Sequence, residues 1–306
     1  MLISLINLVS KREKLIKDIS TYSLRDMKLV SFGEILFDRI CGKYYLGGAP
    51  LNFSWYASQM GANVSLVSSV GRDDNGDLAL NKIFSSGIEP IVTRNSSPTG
   101  LVDVRCDGTF SIHKGSAWEN IPPPVIPEIN FQMLYFGTLS QTTSNNRSTL
   151  RKILDMNPKY VLTDINLRAP NYTPEIIEKC LSEAAVVKMN RSEWEVVSKV
   201  TGIQDPEILM SKKGLGALAV TNGSEGATLY SAAGGIEFKP ERVEEVDPTG
   251  SGDAFTAVLA VGILTNAHPA QALAAACQAG ATVASKKGAL VDIPEDVRRA
   301  YDEQPL

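Results

Sequence analysis

The residues whose types and spacing best suit chemistry are Gly250, Gly252 and Asp253, which lie directly before an apolar run from Ala254 to Leu264. The run predicts a buried helix, and the first backbone N–H groups of a helix have no internal partner and attract anions. The glycines leave room for several of these groups to approach one anion. A carboxylate beside them would repel a passively bound phosphate, but it suits a base in phosphoryl transfer. Taken alone, Asp253 would equally suit the dipole of the first helical turn.

The wider motif separates these alternatives. Residues 247–255, D-P-T-G-S-G-D-A-F, resemble the D-T-x-G-A-G-D-x-F signature of ribokinase-like sugar kinases, the phosphofructokinase-B family. The resemblance implies that Asp253 is the catalytic base. It also implies an anion hole formed by the three preceding residues, Gly250, Ser251 and Gly252. The chain departs from the signature at Pro248, which removes one backbone N–H, and at the small residue Ser251.

A second motif follows a short apolar run near Leu29 that predicts a strand. Residues 33–38, G-E-I-L-F-D, resemble the G-E-x-L-x-D of fructokinase-like members, in which the aspartate accepts hydrogen bonds from sugar hydroxyls. Residues 47–52, G-G-A-P-L-N, resemble the G-G-x-x-x-N that borders the sugar in the family. The resemblance therefore assigns substrate binding to Asp38, Gly47, Gly48 and Asn52.

From Gln132 onward, short apolar runs alternate with helical patterns, which predicts a parallel sheet flanked by helices. The predicted strands are about 132–136, 159–164, 185–189 and 216–221, and the predicted helices are near 144–156, 173–183, 190–200 and 204–213. Ligands of such sheets bind beyond the carboxyl ends of the strands, where polar groups cluster in this sequence. Each group would also suit helix capping or loop structure, so their joint position is the stronger indication.

The resemblance gives each polar group a role. Arg168 ends an Asp-x-Asn-x-Arg segment like that of fructokinase and 2-keto-3-deoxygluconate kinase types, where the arginine reaches the substrate or its phosphate. Asn190 and Glu193 match an N-x-x-E motif that organises Mg²⁺ and nucleotide phosphates, with the glutamate acting on the metal through water. The remaining implied roles are nucleotide binding at Thr221, Gly223, Gly250 and Gly252, and an optional monovalent cation such as K⁺ at Asp247 and Thr249.

Composition narrows the class of protein. The chain has 306 residues, a length suited to one large α/β domain with or without a small appendage. Its net charge of -4 offers no basic surface for nucleic acid or an anionic membrane. Two histidines argue against a histidine-based metal site, and four scattered cysteines indicate a reducing, cytoplasmic setting. No apolar run approaches the ~18 residues that span a bilayer, so no membrane partner is expected.

We expect a three-layer ribokinase-like α/β fold, with a mostly parallel central sheet and a small β-sheet lid. Two alternating runs around Asp107 and Gly108 predict a hairpin in this lid. The predicted limits are 27–306 for the kinase domain, 1–26 for an N-terminal appendage outside the fold, and about 41–48 and 99–116 for the lid segments. The resemblance leaves open a homodimer formed through the lid.

The combined interpretation is an ATP-dependent kinase that uses Mg²⁺ and phosphorylates a primary hydroxyl of a small-molecule sugar. The sugar motifs and the segment ending at Arg168 favour fructose. A 2-keto-3-deoxygluconate kinase or a pentose kinase is the alternative within the class. A catalytically silent regulator that binds a sugar or nucleotide on the same fold is the alternative outside it.

Overall fold

The computed structural model describes residues 27–105, 109–124 and 131–301. The strands of this part of the chain are β1 (Lys28–Phe32), β2 (Leu36–Ile40), β3 (Lys43–Gly47), β4 (Asn63–Gly71), β5 (Glu89–Asn95), β6 (Gly100–Val104), β7 (Phe110–Ile112), β8 (Met133–Gly137), β9 (Tyr160–Asp164), β10 (Val186–Asn190), β11 (Ala217–Thr221), β12 (Ala227–Ser231) and β13 (Gly234–Phe238). They form a nine-stranded central sheet, in the order β13-β12-β11-β10-β9-β8-β1-β4-β5, and a four-stranded sheet, in the order β3-β2-β6-β7.

The central sheet is parallel from β11 to β5. At one edge, β12 pairs antiparallel with β11, and β13 pairs antiparallel with β12. The predicted strands from Gln132 onward are confirmed, with bounds that shift by about one residue. Since the strands are parallel, their carboxyl ends meet at one edge of the sheet. The polar groups that follow β9, β10 and β11 are thereby brought to the same side of the molecule.

Helices cover both faces of the sheet. They are α1 (Ala49–Gln59), α2 (Asp74–Phe84), α3 (Ser144–Leu154), α4 (Pro174–Glu183), α5 (Arg191–Thr201), α6 (Pro206–Lys213), α7 (Ser251–Leu264), α8 (Pro269–Ala284) and α9 (Glu295–Arg298). Within the described ranges, no helix has the length and apolar character that crossing a membrane requires. The four helices predicted between residues 144 and 213 all form, with starts at or within about two residues of the predicted positions.

Alternation along the buried strands explains the three layers. Leu29 of β1 joins a core cluster with α1, α7 and α8, whereas the next residue, Val30, joins a cluster with α3, α4, α5 and α6. Successive side chains of a strand point to opposite faces, so one apolar run supplies both cores. The predicted ribokinase-like architecture is confirmed.

Helix α7 is buried on nearly all sides because it lies between α1 and α8. Small residues on α8 allow a close approach, and a Cβ on Gly280 would lie 3.2 Å from the carbonyl oxygen of Ser251. Helix α8 packs chiefly on α7 and also contacts β12 and β13. The start of α7 is thus held rigidly by its neighbours.

The lid is the four-stranded sheet, and it differs from the prediction in one strand. The predicted segments supply β3, β6 and β7. The remaining strand, β2, was not predicted; it lies inside the sheet and pairs antiparallel with β3 and parallel with β6. No strand was predicted within residues 33–38, where Asp38 interrupts a run too short to show alternation. The predicted turn at Asp107 and Gly108 and the predicted appendage 1–26 lie outside the described residues.

One carboxylate anchors the lid to the main domain. Asp73 caps α2 by accepting a hydrogen bond from the N–H of Gly76 at 2.8 Å. The same side chain accepts from the hydroxyl of Thr99 at 2.6 Å and from its N–H at 2.8 Å. Thr99 directly precedes β6 of the lid, so Asp73 joins a helix start to the root of the lid.

We expect Asp73→Ala to lower the free energy of unfolding by about 1–3 kcal/mol, because it removes a helix cap and leaves buried donors unpaired. Urea denaturation of the two proteins measures this difference. Asp74→Ala is the matched control, since Asp74 is an exposed neighbour in the same helical turn. Equal losses in the two variants would contradict an anchoring role for Asp73.

Candidate active site

A cleft of about 670 Å³ opens at the carboxyl edge of the central sheet, with lid residues on one wall. It collects most of the residues that the sequence singled out: Asp38, Gly48, Asn52, Arg168, Asn190, Glu193, Thr221, Gly223, Thr249, Gly250, Ser251, Gly252 and Asp253. Gly47 and Asp247 do not line the cleft, although each touches residues that do. Motifs that are far apart in the chain therefore meet in one cavity.

The start of α7 forms the floor of this cleft. Gly250 precedes the helix in a left-handed conformation, with φ of +83°, and a Cβ there would lie 2.8 Å from the carbonyl oxygen of Ala289. In the described part of the chain, the backbone N–H groups of Gly250, Gly252 and Asp253 have no hydrogen-bond partner. Three donors are therefore free to face an anion.

Ser251 departs from the predicted anion hole. Its N–H donates to the carbonyl oxygen of Pro248 at 3.1 Å, and its hydroxyl donates to the same oxygen at 2.7 Å. These bonds close the turn that leads into α7. The sequence assigned the Ser251 N–H to the anion, but in this structure the turn already uses it.

Asp253 is buried beside α1. Its Oδ2 accepts a hydrogen bond of 2.8 Å from Nδ2 of Asn52, which lies 201 positions away in the sequence. Burial raises the pKa of Asp253 to about 7, and the charge of Asp164 adds to this increase. The Asn52 hydrogen bond, Lys188 and Arg168 act in the opposite direction. The carboxyl therefore has the pKa of a base that works near neutral pH.

Lys188 is a site residue that the sequence analysis overlooked. Its Nζ lies 3.0 Å from Oδ2 and 3.2 Å from Oδ1 of Asp164, and both side chains are buried. A Cβ on Gly252 would lie 3.0 Å from the same Nζ, so the ammonium group reaches the start of α7. Burial acts to lower the pKa of Lys188, but the carboxylates of Asp164, Glu193 and Asp253 outweigh it and raise the pKa. A lysine within an otherwise apolar strand was the signal that could have identified Lys188 from the sequence.

Glu193 and Asn190 form a capping box at the start of α5. The side chain of Asn190 accepts from the N–H of Glu193 at 2.9 Å, and Oε2 of Glu193 accepts from the N–H of Asn190 at 2.8 Å. Oε1 of Glu193 accepts from the N–H of Leu167 at 2.9 Å. Glu193 thus fixes the loop that carries Arg168.

Asp247 holds two loops together. Its Oδ1 accepts from the N–H of Thr249 at 3.0 Å, and its Oδ2 accepts from the N–H of Gly288 at 3.0 Å. Partial burial opposes ionisation, but these hydrogen bonds outweigh it and lower the pKa of Asp247. The described residues contain no group of three or more His, Cys, Asp or Glu side chains arranged to hold a metal. The monovalent cation at Asp247 and Thr249 stays a prediction.

The residues of the sugar-type motif lie close together beside the cleft. A Cβ on Gly47 would lie 3.4 Å from Oδ2 of Asp38 and 3.8 Å from Oδ1 of Asn52, so the glycine leaves space between these two acceptors. Gly48 has a different reason to be glycine, because its φ is +111° and a Cβ would lie 2.5 Å from the carbonyl oxygen of Glu34. Burial raises the pKa of Asp38 to about 6, while Arg168 lowers it.

Arg168 connects the main domain with the lid. Its guanidinium carbon lies 5.8 Å from the ring centroid of Phe110, which belongs to β7. Its positive charge lowers the pKa values of Glu34, Asp38 and Asp253, although burial outweighs it at all three. The position suits a residue that balances the negative charge of the cleft and binds an anionic group.

Glu34 is the second residue that sequence reasoning left without a role. The side chain lines the cleft and is only 4 % exposed. Burial raises the pKa of its carboxyl to about 7, and the charge of Asp253 contributes to the rise. The glutamate of the G-E-x-L-x-D segment was the available signal, but the resemblance gave a role only to the aspartate.

A smaller cavity of about 180 Å³ adjoins the cleft, and the two share Thr221, Gly223, Pro248, Ser251 and Gly252. One part of its wall consists of small or apolar residues of α7 and α8, namely Phe255, Cys277, Gly280, Ala281 and Ala284. Another part consists of Pro240, Glu241, Arg242, Val243 and Glu245. A polar cleft joined to a small, partly apolar cavity can hold a ligand with a charged part and a flat, less polar part.

Comparison with known proteins gives a consistent result. Residues 19–296 match the pfkB family carbohydrate kinase profile. The chain is 26% identical over 270 residues to the aminoimidazole riboside kinase of Salmonella typhimurium, covering 81% of this chain and 84% of the relative. It is 25% identical over 313 residues to fructokinase-1 of Oryza sativa subsp. japonica, covering 89% and 96%.

The fold matches as well as the sequence. The fructokinase of Vibrio cholerae O395, solved with fructose, ADP and a calcium ion, superimposes with a TM-score of 0.80 at 21% identity, over 90% of this chain and 99% of that one. The family profile covers most of this chain, including both glycine-rich motifs and Asp253. The chain therefore belongs to the pfkB family of carbohydrate kinases, phosphotransferases that act on sugars.

Proposed function

We propose that this chain is an ATP-dependent kinase that phosphorylates a primary hydroxyl of a sugar, with fructose as the preferred substrate. The observation that carries the proposal is the surroundings of Asp253. Its carboxyl lies beside free N–H groups suited to a phosphoryl group, and it is hydrogen-bonded to Asn52, which borders the space next to Asp38. A base between an anion site and a hydroxyl site is the arrangement that phosphoryl transfer to an alcohol requires.

Each residue of the site has a separate role in the proposed reaction. Asp253 accepts the proton of the attacking hydroxyl, and Asn52 holds the carboxylate in position through its Nδ2 group. The N–H groups of Gly250, Gly252 and Asp253 stabilise the charge on the transferred group. Asp38 accepts hydrogen bonds from hydroxyls elsewhere on the sugar.

The cleft and the adjoining cavity are consistent with ATP and Mg²⁺. The cavity next to Thr221 and Gly223 suits the base of a nucleotide, and the free N–H groups at the start of α7 suit its phosphates. Glu193 would act on Mg²⁺ through water, since Mg²⁺ gives up its bound water reluctantly. When bound, MgATP supplies the phosphoryl group and neutralises charge on the phosphates.

Fructose is favoured by the sugar motifs, by the similarity to the rice fructokinase, and by the fold shared with a Vibrio fructokinase solved with fructose. A ribose-type furanoside is the second candidate, because a similar relative is an aminoimidazole riboside kinase. Identities near 25% do not separate the two.

A coupled assay of ADP release with a panel of sugars tests the proposal. Fructose, ribose, a purified riboside and 2-keto-3-deoxygluconate are compared at saturating MgATP. We expect fructose to give the highest kcat/KM. A higher value with another sugar would overturn fructose as substrate, and sugar-independent ADP release alone would overturn the kinase proposal.

Three further proposals accompany this function. K⁺ at Asp247 and Thr249 would be detected as activation of turnover by KCl over choline chloride. A homodimer through the lid would be detected by sedimentation. We also propose a cytoplasmic location, because the cysteines are scattered, and Cys180 and Cys277 are free thiols.

We expect Asp253→Asn to reduce kcat by ~10²–10⁴-fold, because the amide has nearly the same volume but cannot accept the proton. The KM for ATP should change little, since the backbone donors remain. Steady-state kinetics of the variant measures both effects. Near-normal turnover would exclude Asp253 as the base.

The pH dependence of the two proteins provides a second readout of the same residue. With a pKa of about 7, Asp253 is ionised tenfold less for each pH unit below that value, so kcat/KM should rise with pH and level off above it. Stability should change in the opposite direction, because a raised folded-state pKa favours folding below the unfolded pKa of about 4 and loses that contribution as pH rises through about 7. The Tm difference, variant minus wild type, should therefore be greater at pH 8 than at pH 5.

We expect Gly47→Ala to raise the KM for fructose at least tenfold and leave the KM for ATP nearly unchanged. The new methyl group would lie between Asp38 and Asn52, at ordinary contact distance from both, so the fold can accept it. Gly48→Ala is the matched control: its φ of +111° and its clash with Glu34 predict a lower Tm. An unchanged KM for fructose in Gly47→Ala would show that the sugar does not lie there.

A further inference from the structure

Glu34 is a buried acid in the cleft for which the proposed chemistry has no task. Its Oε2 is inaccessible to solvent and has no hydrogen-bond partner in the described part of the protein. Leaving a buried acceptor unpaired costs free energy, so such an atom in a cavity needs a reason. A ligand that brings a donor is one such reason.

A second acceptor in the same cleft is in the same state. Oδ1 of Asn52 is buried and unpartnered, and the orientation of this amide is fixed by Asp253. The carboxylate of Asp253 accepts, so Asn52 must turn its Nδ2 group toward it and its oxygen away. The cleft thus holds two buried oxygen atoms, from Glu34 and Asn52, that both lack a donor.

Glu34 occupies a constrained stretch of backbone. It follows Gly33, which has φ of +147° at the end of β1, and its carbonyl oxygen is packed against Gly48. The N–H groups of Glu34 and Ala49 act on the carboxyl and lower its pKa, but burial outweighs them. Whether ionised or neutral, the group offers at least one oxygen lone pair to the cleft.

We propose that Glu34 accepts a hydrogen bond from a sugar hydroxyl next to the one that Asp253 deprotonates, with Asn52 Oδ1 accepting from a neighbouring hydroxyl. Glu34 is then a specificity-determining residue. This inference rests on the proposed function in taking the ligand to be a sugar. A site built to pair with a hydroxyl rejects an analogue that lacks it, because its own buried group is then left unpaired.

The test measures sugar binding by calorimetry without ATP, for fructose and a set of its monodeoxy analogues. The variants are Glu34→Met, which removes the acceptor at similar length, and Glu34→Gln, which keeps one oxygen. We expect the wild-type protein to bind one analogue at least tenfold more weakly than fructose. In Glu34→Met this ratio should fall to about one, while the ratios for the other analogues persist. Glu34→Gln should retain part of the discrimination.

Glu119→Gln is the matched control. Its carboxylate also accepts from a backbone N–H, that of Ser116 at 3.1 Å, but Glu119 does not line the cleft. The Gln side chain keeps an oxygen that can accept from the Ser116 N–H, so we expect this variant to fold normally and to leave every analogue ratio unchanged. If Glu34→Met weakens the binding of fructose and of all analogues by the same factor, or changes no affinity ratio, Glu34 is structural and the proposal is wrong. Should Glu34→Met fail to fold, the same ratios in Glu34→Gln decide, with unchanged ratios overturning the proposal.

The outcomes separate this inference from the kinase proposal. Sugar binding without phosphorylation by the wild-type protein would overturn the kinase proposal alone, and the analogue ratios would still decide the role of Glu34. Phosphorylation with unchanged ratios would overturn the role of Glu34 alone. If another sugar from the panel replaces fructose, its own deoxy analogues are used. No sugar binding at all would overturn both.

Discussion

The ion pair between Lys188 and Asp164 is the constraint on which the site depends. A buried pair stays in place only when further hydrogen bonds satisfy it, and here Thr256 of α7 also donates to Asp164 at 3.2 Å. Lys188 and Asp164 thus tie β9 and β10 to the start of α7. Burial raises the pKa of Asp253 and the charge of Asp164 adds to this increase, while Lys188 offsets only part of it, so the pKa stays high enough for proton transfer near neutral pH.

Local patterns carried much of the sequence-based prediction. Short apolar runs located β8 to β11, and the glycines before an apolar run located the start of α7. Brändén's rule then brought the polar groups to one sheet edge without knowledge of any contact. Asp253 was found because its neighbours in sequence are also its neighbours in space, and the same holds for the capping pair Asn190 and Glu193.

Features that depend on tertiary packing could not be predicted in this way. The hydrogen bond between Asn52 and Asp253 joins two helices that no local pattern pairs. Lys188 has a partner on the adjacent strand, which the sequence does not reveal, and the N–H of Ser251 depends on how the preceding turn closes. Gly47 and Gly48 look alike in sequence, yet the first leaves space beside Asp38 and Asn52 and the second avoids a backbone clash.

The link between β1 and β2 places Glu34 where the chain passes into the lid. Residues 33–35 join the central sheet to β2 of the lid, and Ile35 is fully buried. Residues 96–99, which end at the threonine bound by Asp73, form a second connection between the two sheets. Asp38 lies on β2 of the lid and Asn52 on α1 of the main domain, so a ligand that contacted both side chains would bridge the two parts of the molecule.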